Sequence, residues 1–241
     1  MRNYAQETEN RVAFIKGQLE KAGARGIVYG NSGGKDSALV GILCKKACED
    51  TVGLQMPISA RNYDIDLRDG KEVSDKFGIA TRAVPLAEVK EKFLETIAQV
   101  TDVSDMARAN MSARLRMITL YAVAASENRL VAGTGNRSEA YMGYFTKWGD
   151  GAHDINPIGD LTVTEIYEFL RHLGAPEAVI AKAPSAALFD GQTDEDEMGI
   201  TYARIDGYLL DGAASPEDKA KIEEFHARSE HKRAMPVTYG G

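Results

Sequence analysis

The chain has 241 residues, 29 of them Lys or Arg and 36 Asp or Glu, which gives a formal net charge of −7. Its length is sufficient for one domain with a large hydrophobic core, and its acidic balance argues against nucleic acid as the main partner. There is no run of about eighteen apolar residues and no secretory signal pattern, so we expect no membrane partner and a cytoplasmic location.

Helical and strand-like segments alternate along the first half of the chain. Val12, Ile15 and Leu19 recur at helical spacing, which predicts an amphipathic helix over about 4–22. Short apolar runs predict strands at 26–30, 51–56, 80–86 and 129–133. Helical patterns lie between and beside them, at about 36–48, 64–77, 87–99 and 105–127. This alternation predicts a doubly wound parallel sheet with helices on both faces, which binds ligands at the carboxyl ends of its strands.

The helix at 105–127 carries an apolar stripe, which we expect to face the core. The stripe consists of Leu115, Ile118, Ala122 and Ala125. On the second predicted helix, Cys44 and Cys48 lie four residues apart. Because no Cys or His pattern elsewhere would complete a metal site, we expect two small buried residues there.

The character of the sequence changes after Gly133. Residues 133–160 are rich in glycine and lack a helical period, as is typical of a long functional loop. Helical patterns return at about 162–173, 176–182, 199–210 and 215–229 and predict a helical C-terminal portion. The segment 184–198 contains the acidic run 194–197. We expect a solvated loop there, and the alternative is a lid that orders over bound substrate.

The stretch between the first predicted strand and its helix is the most informative one. It reads Gly30, Asn31, Ser32, Gly33, Gly34, Lys35, Asp36, Ser37. Glycines and small hydroxyl residues let backbone N–H groups converge on an anion at a helix N-terminus. The P-loop pattern fails, because Tyr29 occupies its glycine position and Asp36 its Ser or Thr position. Asp36 would repel a bare phosphate, so it predicts Mg²⁺ between carboxylate and nucleotide.

Three further charged residues are candidates for the same region. Glu139 follows the fourth predicted strand, whose carboxyl end can lie near that of the first, so Asp36 and Glu139 are expected to share Mg²⁺. Arg114 flanks the apolar stripe, and Lys147 lies among glycines and aromatic residues. Each is either a surface side chain or a ligand for a carboxylate or phosphate group.

Several separated strings resemble the ammonia-dependent NAD synthetases, a family of N-type ATP pyrophosphatases. They are 32–37, 113–117, 133–136, 143–147, 149–151, 191–195 and 231–233. The Ser-Gly-Gly-x-Asp-Ser string is common to N-type pyrophosphatases, whereas Phe-Thr-Lys, Gly-Asp-Gly and His-Lys-Arg in this order are more particular. The resemblance implies a ligase of NAD biosynthesis. The nicotinate carboxylate of deamido-NAD attacks the α-phosphorus of ATP, pyrophosphate leaves, and ammonia then displaces AMP.

The resemblance also implies roles for individual positions. ATP is expected at the loop 30–37, at Thr134 and at Ser185, with Mg²⁺ held by Asp36 and Glu139. The residues expected to bind deamido-NAD are Arg114, Lys147, Asp154, His231 and Lys232. Asp36 and Lys147 are the expected catalytic residues.

One position departs from the family. Val163 stands where many members have a lysine that reaches ATP, and we hypothesise that Lys35 supplies the missing cation. The resemblance further implies a homodimer and one NAD synthetase domain over 1–241. No glutaminase domain fits this length, so the nitrogen source is expected to be free ammonia or a separate glutaminase.

Two other functions remain open from the sequence. A tRNA-thiolating pyrophosphatase would be expected to show catalytic cysteines and a basic face. A nucleotide sensor without catalysis would keep the fold and the loop but would not need Arg114 or Lys147.

Overall fold

A computed structural model describes residues 2–58, 63–181 and 194–239. The strands are β1 (Gly26–Gly30), β2 (Thr51–Gln55), β3 (Ala80–Ala83) and β4 (Arg129–Ala132). The first helices are α1 (Tyr4–Ala22), α2 (Lys35–Ala47), α3 (Tyr63–Phe77), α4 (Ala87–Ile97), α5 (Asp105–Glu127) and α6 (Arg137–Met142). They are followed by α7 (Val163–His172), α8 (Glu177–Ala181), α9 (Asp194–Met198), α10 (Tyr202–Asp211), α11 (Pro216–Arg228) and α12 (Glu230–Arg233).

The strands form one parallel sheet in the order β3-β2-β1-β4. β1 is central, and Val28 pairs with Val52 on one side and Val131 on the other. Apolar residues of α1, α2, α3 and α7 pack against one face of the sheet, and those of α5 pack against the other. The predicted doubly wound sheet with helices on both faces is therefore confirmed.

Tyr29 of β1 packs closely against helix α2 and strand β2. Its side chain is fully buried. A Cβ at Gly41 of α2 would overlap the Tyr29 hydroxyl, and a Cβ at Gly53 of β2 would lie 3.0 Å from the same oxygen. The two glycines thus let the helix and the strand pack directly on the tyrosine ring.

The predicted core stripe of α5 is confirmed for Leu115, which packs against the sheet, and is wrong for its other three residues. Ile118 is 58% exposed, Ala122 and Ala125 are also exposed, and the buried residue near them is Ala124. Leu120, Tyr121, Val123 and Ala124 pack in one apolar cluster with Val28 of β1 and Val131 of β4. Because both sides of this helix are apolar, its hydrophobic period could not determine which side faces the sheet.

Two predicted loops contain helices. Within 133–160, α6 begins at Asn136 through a capping box with Glu139. The acidic run, expected to be solvated, forms α9, and Asp194 is buried. Tyrosine hydroxyls stabilise this helix, since Tyr202 donates to Asp194 Oδ2 at 3.2 Å and Tyr144 to Glu197 Oε2 at 2.6 Å. Residues 184–193 of the proposed lid lie outside the described residues.

The predicted helical C-terminal portion is confirmed. Its apolar cluster contains residues of the five helices α6, α7, α9, α10 and α11. The cluster contains Met142, Val163, Met198, Ile200, Tyr202, Ile205 and Ile222. Of the two cysteines, Cys44 is buried as expected, but Cys48 is only partly buried. Within the described ranges no helix is long and apolar enough to cross a membrane.

Candidate active site

The glycine-rich loop closes onto the N-terminus of α2, at the carboxyl end of β1. Gly33 has φ +72°, a conformation that favours glycine. Ser32 Oγ accepts from Gly34 N at 3.3 Å and lies 3.2 Å from Ser37 Oγ. Ser37 Oγ donates to the Gly34 carbonyl at 3.0 Å. The loop therefore holds backbone N–H groups and the positive end of a helix together, an arrangement suited to an anion.

Asn31 anchors this loop to α3. Its side chain is buried, and Nδ2 donates to Gly70 O at 2.9 Å and lies 3.0 Å from Ser74 Oγ. Its Oδ1 accepts from Gly33 N at 3.3 Å. The side chain of Asn31 is thus occupied in shaping the loop, and Gly70 must be glycine-sized because an added Cβ would lie 3.0 Å from Asn31 Oδ1.

Asn136 connects the two predicted Mg²⁺ ligands. Its Nδ2 donates to Asp36 Oδ1 at 3.1 Å. Its Oδ1 accepts from Glu139 N at 2.9 Å, and its own N–H donates to Glu139 Oε2 at 3.1 Å. Sequence reasoning missed Asn136, although the Asn-x-x-Glu spacing is a recognisable helix-start pattern.

The two carboxylates form a site that suits a divalent cation. Burial, followed by the charge of Asp36, raises the pKa of Glu139 to about 8, so a cation bound nearby would favour its ionised form. The described residues contain no cluster of three or more His, Cys, Asp or Glu side chains that could hold a metal. Magnesium bound to nucleotide phosphates needs only one or two protein carboxylates, so the donor set fits.

Lys35 lies beside Asp36 in the interior. Its Nζ is 2.7 Å from Asp36 Oδ2 and 5.7 Å from the centre of the Tyr202 ring. Burial opposes the charge of this lysine, but Asp36 and Glu139 outweigh burial and raise the pKa of Lys35. Tyr202 belongs to the same apolar cluster as Val163, so Lys35 lies at the border of the cluster that contains Val163.

A basic group forms where the C-terminal helix α12 meets the loop after α6. Lys147 Nζ donates to the His231 carbonyl, and Arg114 Nη2 donates to the Lys147 carbonyl at 3.2 Å. Lys232 Nζ donates to the carbonyls of Gly143 and Phe145, both at 2.8 Å. The structure therefore brings Arg114, Lys147, His231 and Lys232 together.

Residues missed in the sequence hold this group in position. Thr146 N donates to Asp150 Oδ1 at 3.0 Å, and Thr146 Oγ1 lies 2.8 Å from Asn110 Oδ1 of α5. Gly143 has φ +67°, and a Cβ there would overlap Ser229, which directly precedes α12. Thr146 and Asp150 lie in strings that resemble the family, but no motif pointed to the Thr146–Asn110 or Gly143–Ser229 contacts, because these join distant segments.

Three predicted site residues remain, namely Thr134, Asp154 and Ser185. Thr134 follows β4, whose carboxyl end is next to that of β1. Asp154 accepts from Val131 N at 2.8 Å and lies 3.3 Å from the hydroxyl of Tyr121 on α5. It therefore contacts β4 and α5 rather than the glycine loop. Ser185 lies outside the described residues.

Comparison with known proteins identifies the family. The family model described as NAD synthase matches residues 7–236. The chain belongs to the NAD synthase family. Among its relatives in this family, an NH(3)-dependent NAD(+) synthetase of Carboxydothermus hydrogenoformans is 44% identical over 237 residues, 97% of each chain. This membership confirms the predicted resemblance and removes the tRNA-thiolating alternative.

Solved structures agree with this placement in the NAD synthase family. An NMN synthetase from Francisella tularensis has a TM-score of 0.94 and 38% identity and covers 100% of both chains. An NH3-dependent NAD synthetase from Campylobacter jejuni, in complex with the nitrate ion, has a TM-score of 0.82 and 31% identity over the same coverage. The whole described fold is therefore that of known NAD synthase family structures.

Proposed function

We propose that this protein is a ligase that converts deamido-NAD to NAD with ATP and ammonia, as the last step of NAD biosynthesis. The main support for the proposal is helix α6, which connects the carboxylates of Asp36 and Glu139 to the basic group described above. The N-cap of this helix is Asn136, which contacts Asp36 and Glu139, and its C-cap is Gly143, beside the basic group. Six residues of helix span about 9 Å, a distance suited to a nucleotide phosphate chain and a second anionic substrate.

The first chemical step is adenylation of the acid. A carboxylate oxygen of deamido-NAD attacks the α-phosphorus of ATP, and the bond from that phosphorus to the pyrophosphate oxygen breaks. The loop 30–37 binds the pyrophosphate, with Thr134 and Ser185 as further ATP residues. Asp36 and Glu139 would hold Mg²⁺, which neutralises charge on the departing pyrophosphate. Most of the rate enhancement comes from positioning and preorganised charge.

In the second step ammonia attacks the activated carbonyl carbon, AMP leaves with the bonding electrons, and the nitrogen loses a proton to solvent. Arg114, Lys147, His231 and Lys232 bind deamido-NAD, with Asp154 on the α5 side of the sheet. Lys147 is the proposed catalytic residue of this group, because its ammonium can bind the reacting carboxylate or phosphate. Lys35 provides the cation for ATP that many family members place at the position of Val163.

We also propose that the protein is a cytoplasmic homodimer of single-domain subunits. The exposed apolar side of α5, with Met106 60% and Ile118 58% exposed, supports a buried interface for this helix. Free ammonia, or ammonia from a separate glutaminase, is the nitrogen source.

A coupled assay tests the reaction. Purified protein receives ATP, Mg²⁺, ammonium and deamido-NAD, NAD is followed with an alcohol dehydrogenase, and AMP and pyrophosphate are counted. We expect equal amounts of the three products and loss of all three when the acid substrate is omitted. ATP binding without pyrophosphate release, both with and without the acid substrate, would instead indicate a nucleotide sensor.

A second candidate substrate is nicotinate mononucleotide. It is favoured by the match to the NMN synthetase, since the fold of that protein superposes over the whole chain. The same assay with nicotinate mononucleotide, following its amide, compares the two acids. A larger kcat/KM for the mononucleotide would reassign the substrate while leaving the ligase chemistry unchanged.

A further inference from the structure

Lys35 is an unusual residue for its position. Only 6% of it is exposed, although lysine is among the residues least often buried. It is the first residue of α2, where the positive end of the helix disfavours another cation. Burial and the helix end both oppose an ammonium group there, so the site must supply a compensating interaction.

The compensation comes from the carboxylates assigned to Mg²⁺. Lys35 Nζ is 2.7 Å from Asp36 Oδ2, and the two side chains are only 6% and 17% exposed. Two tyrosine side chains, Tyr202 and Tyr167, also lie near it. Asp36 Oδ1 accepts from Asn136, and Oδ2 is in contact with the ammonium, so the lysine lies against an oxygen that a metal would also use.

We propose that Lys35 is an internal counter-ion that competes with the divalent cation for Asp36. Before Mg·ATP binds, its ammonium neutralises the carboxylates. When Mg·ATP binds, the metal takes Asp36 and the ammonium moves to the pyrophosphate oxygens. The inference rests on the proposed function for the identity of Mg·ATP.

Binding of metal alone tests the competition. Mn²⁺ binding without nucleotide is measured by electron paramagnetic resonance for the wild type, Lys35→Met, and Lys46→Met as a control on the exposed side of the same helix. We expect Lys35→Met to bind Mn²⁺ about tenfold more tightly, since a positive charge next to the ligand is removed. Lys46→Met should match the wild type. Unchanged or weaker Mn²⁺ binding by Lys35→Met would overturn the proposal.

Lys35→Gln provides a second variant, because it keeps a hydrogen-bond donor without the charge. It should also bind Mn²⁺ more tightly than the wild type, whereas a lysine that only packs the interior would give no such gain. If neither variant folds alone, recovery of folded protein in Mn²⁺, reversed by a chelator, supports the inference. Failure of Mn²⁺ to recover either variant counts against it.

The metal measurement is independent of turnover. If the wild type forms no NAD while Lys35→Met binds Mn²⁺ more tightly, the proposed reaction fails and the counter-ion role stands. If the wild type forms NAD and both variants bind Mn²⁺ like the wild type, only the counter-ion role fails. In the active enzyme, Lys35→Met should also raise the Michaelis constant for ATP, because the ammonium no longer reaches the pyrophosphate.

Discussion

Asn136 Nδ2 donates a hydrogen bond of 3.1 Å to Asp36 Oδ1, between residues 100 positions apart in the sequence. Asp36 follows β1 and Asn136 follows β4, which are neighbouring parallel strands. The same amide accepts from the backbone of Glu139. One side chain therefore sets the relative position of the two carboxylates and the start of α6.

Asn136→Ser should separate catalysis from stability. Serine is a good helix cap but is too short to replace the amide contact with Asp36. We expect a stability within about 0.5 kcal/mol of the wild type and a fall in kcat/KM for ATP of about tenfold. Asn136→Ala, which also loses the cap, should cost about 1 kcal/mol more. Urea denaturation and initial rates measure the two effects, and equal kcat/KM in Asn136→Ser and the wild type would refute the positioning role.

Gly143→Ala should disturb the basic group. Alanine at φ +67° is strained, and its Cβ would overlap Ser229 before α12. Gly174→Ala is the matched control, because Gly174 has φ +69° and open space around it. We expect a loss of about 1 kcal/mol for Gly174→Ala from backbone strain and at least about 2 kcal/mol for Gly143→Ala. Only Gly143→Ala should raise the KM for deamido-NAD, and an equal effect of both variants would contradict this reading.

Gly41→Ala and Gly17→Ala should have opposite effects on stability. Both glycines lie in helices, but a Cβ at Gly41 would meet the Tyr29 hydroxyl, whereas Gly17 has open space. We expect Gly17→Ala to stabilise the protein by about 0.5–1 kcal/mol and Gly41→Ala to destabilise it by about 1–3 kcal/mol. Thermal denaturation measures both changes. Adding Tyr29→Phe should recover part of the Gly41→Ala loss, and stabilisation by Gly41→Ala alone would disprove the packing argument.

Asp160 should contribute to stability only above acidic pH. Burial alone would raise the pKa of its carboxyl, but hydrogen bonds from Arg11 and the charges of Arg11 and Arg2 lower it. A carboxyl whose folded pKa is depressed stabilises the protein above its unfolded pKa of about 4, and this stability is lost as pH falls through the folded pKa.

The comparison of wild type with Asp160→Asn measures this effect. At pH 7 the variant should be less stable by about 1 kcal/mol, because the half-exposed carboxylate is screened by solvent. The difference should shrink as the pH is lowered below about 4. Urea titrations between pH 7 and 3 give the two curves. A difference that stays constant over this range would show that the Arg11 contact is not electrostatic.

The apolar stripe of α5 and the acidic run at 194–197 show which features the sequence did not predict correctly. On α5 two apolar stripes compete, and only packing against Val28 and Val131 determines that Ala124, and not Ile118, lies inside. The acidic run predicted a solvated loop because its four carboxylates favour water. Tyr202 and Tyr144, which donate to Asp194 and Glu197, come from other segments and make a packed helix possible.

The sequence by itself determined the alternation of strands and helices, the glycine loop after β1 and the family, because these depend on local patterns and contiguous motifs. The tertiary structure alone decided the contact of Asn136 with Asp36, the burial of Lys35 beside that carboxylate, and the docking of α12 through Lys147 and Lys232. The contacts of Asn136 and of α12 join segments far apart in the chain. Lys35 is adjacent to Asp36 in the sequence, but its burial depends on the segments that pack around it. All three features therefore depend on how the strands order and the helices pack.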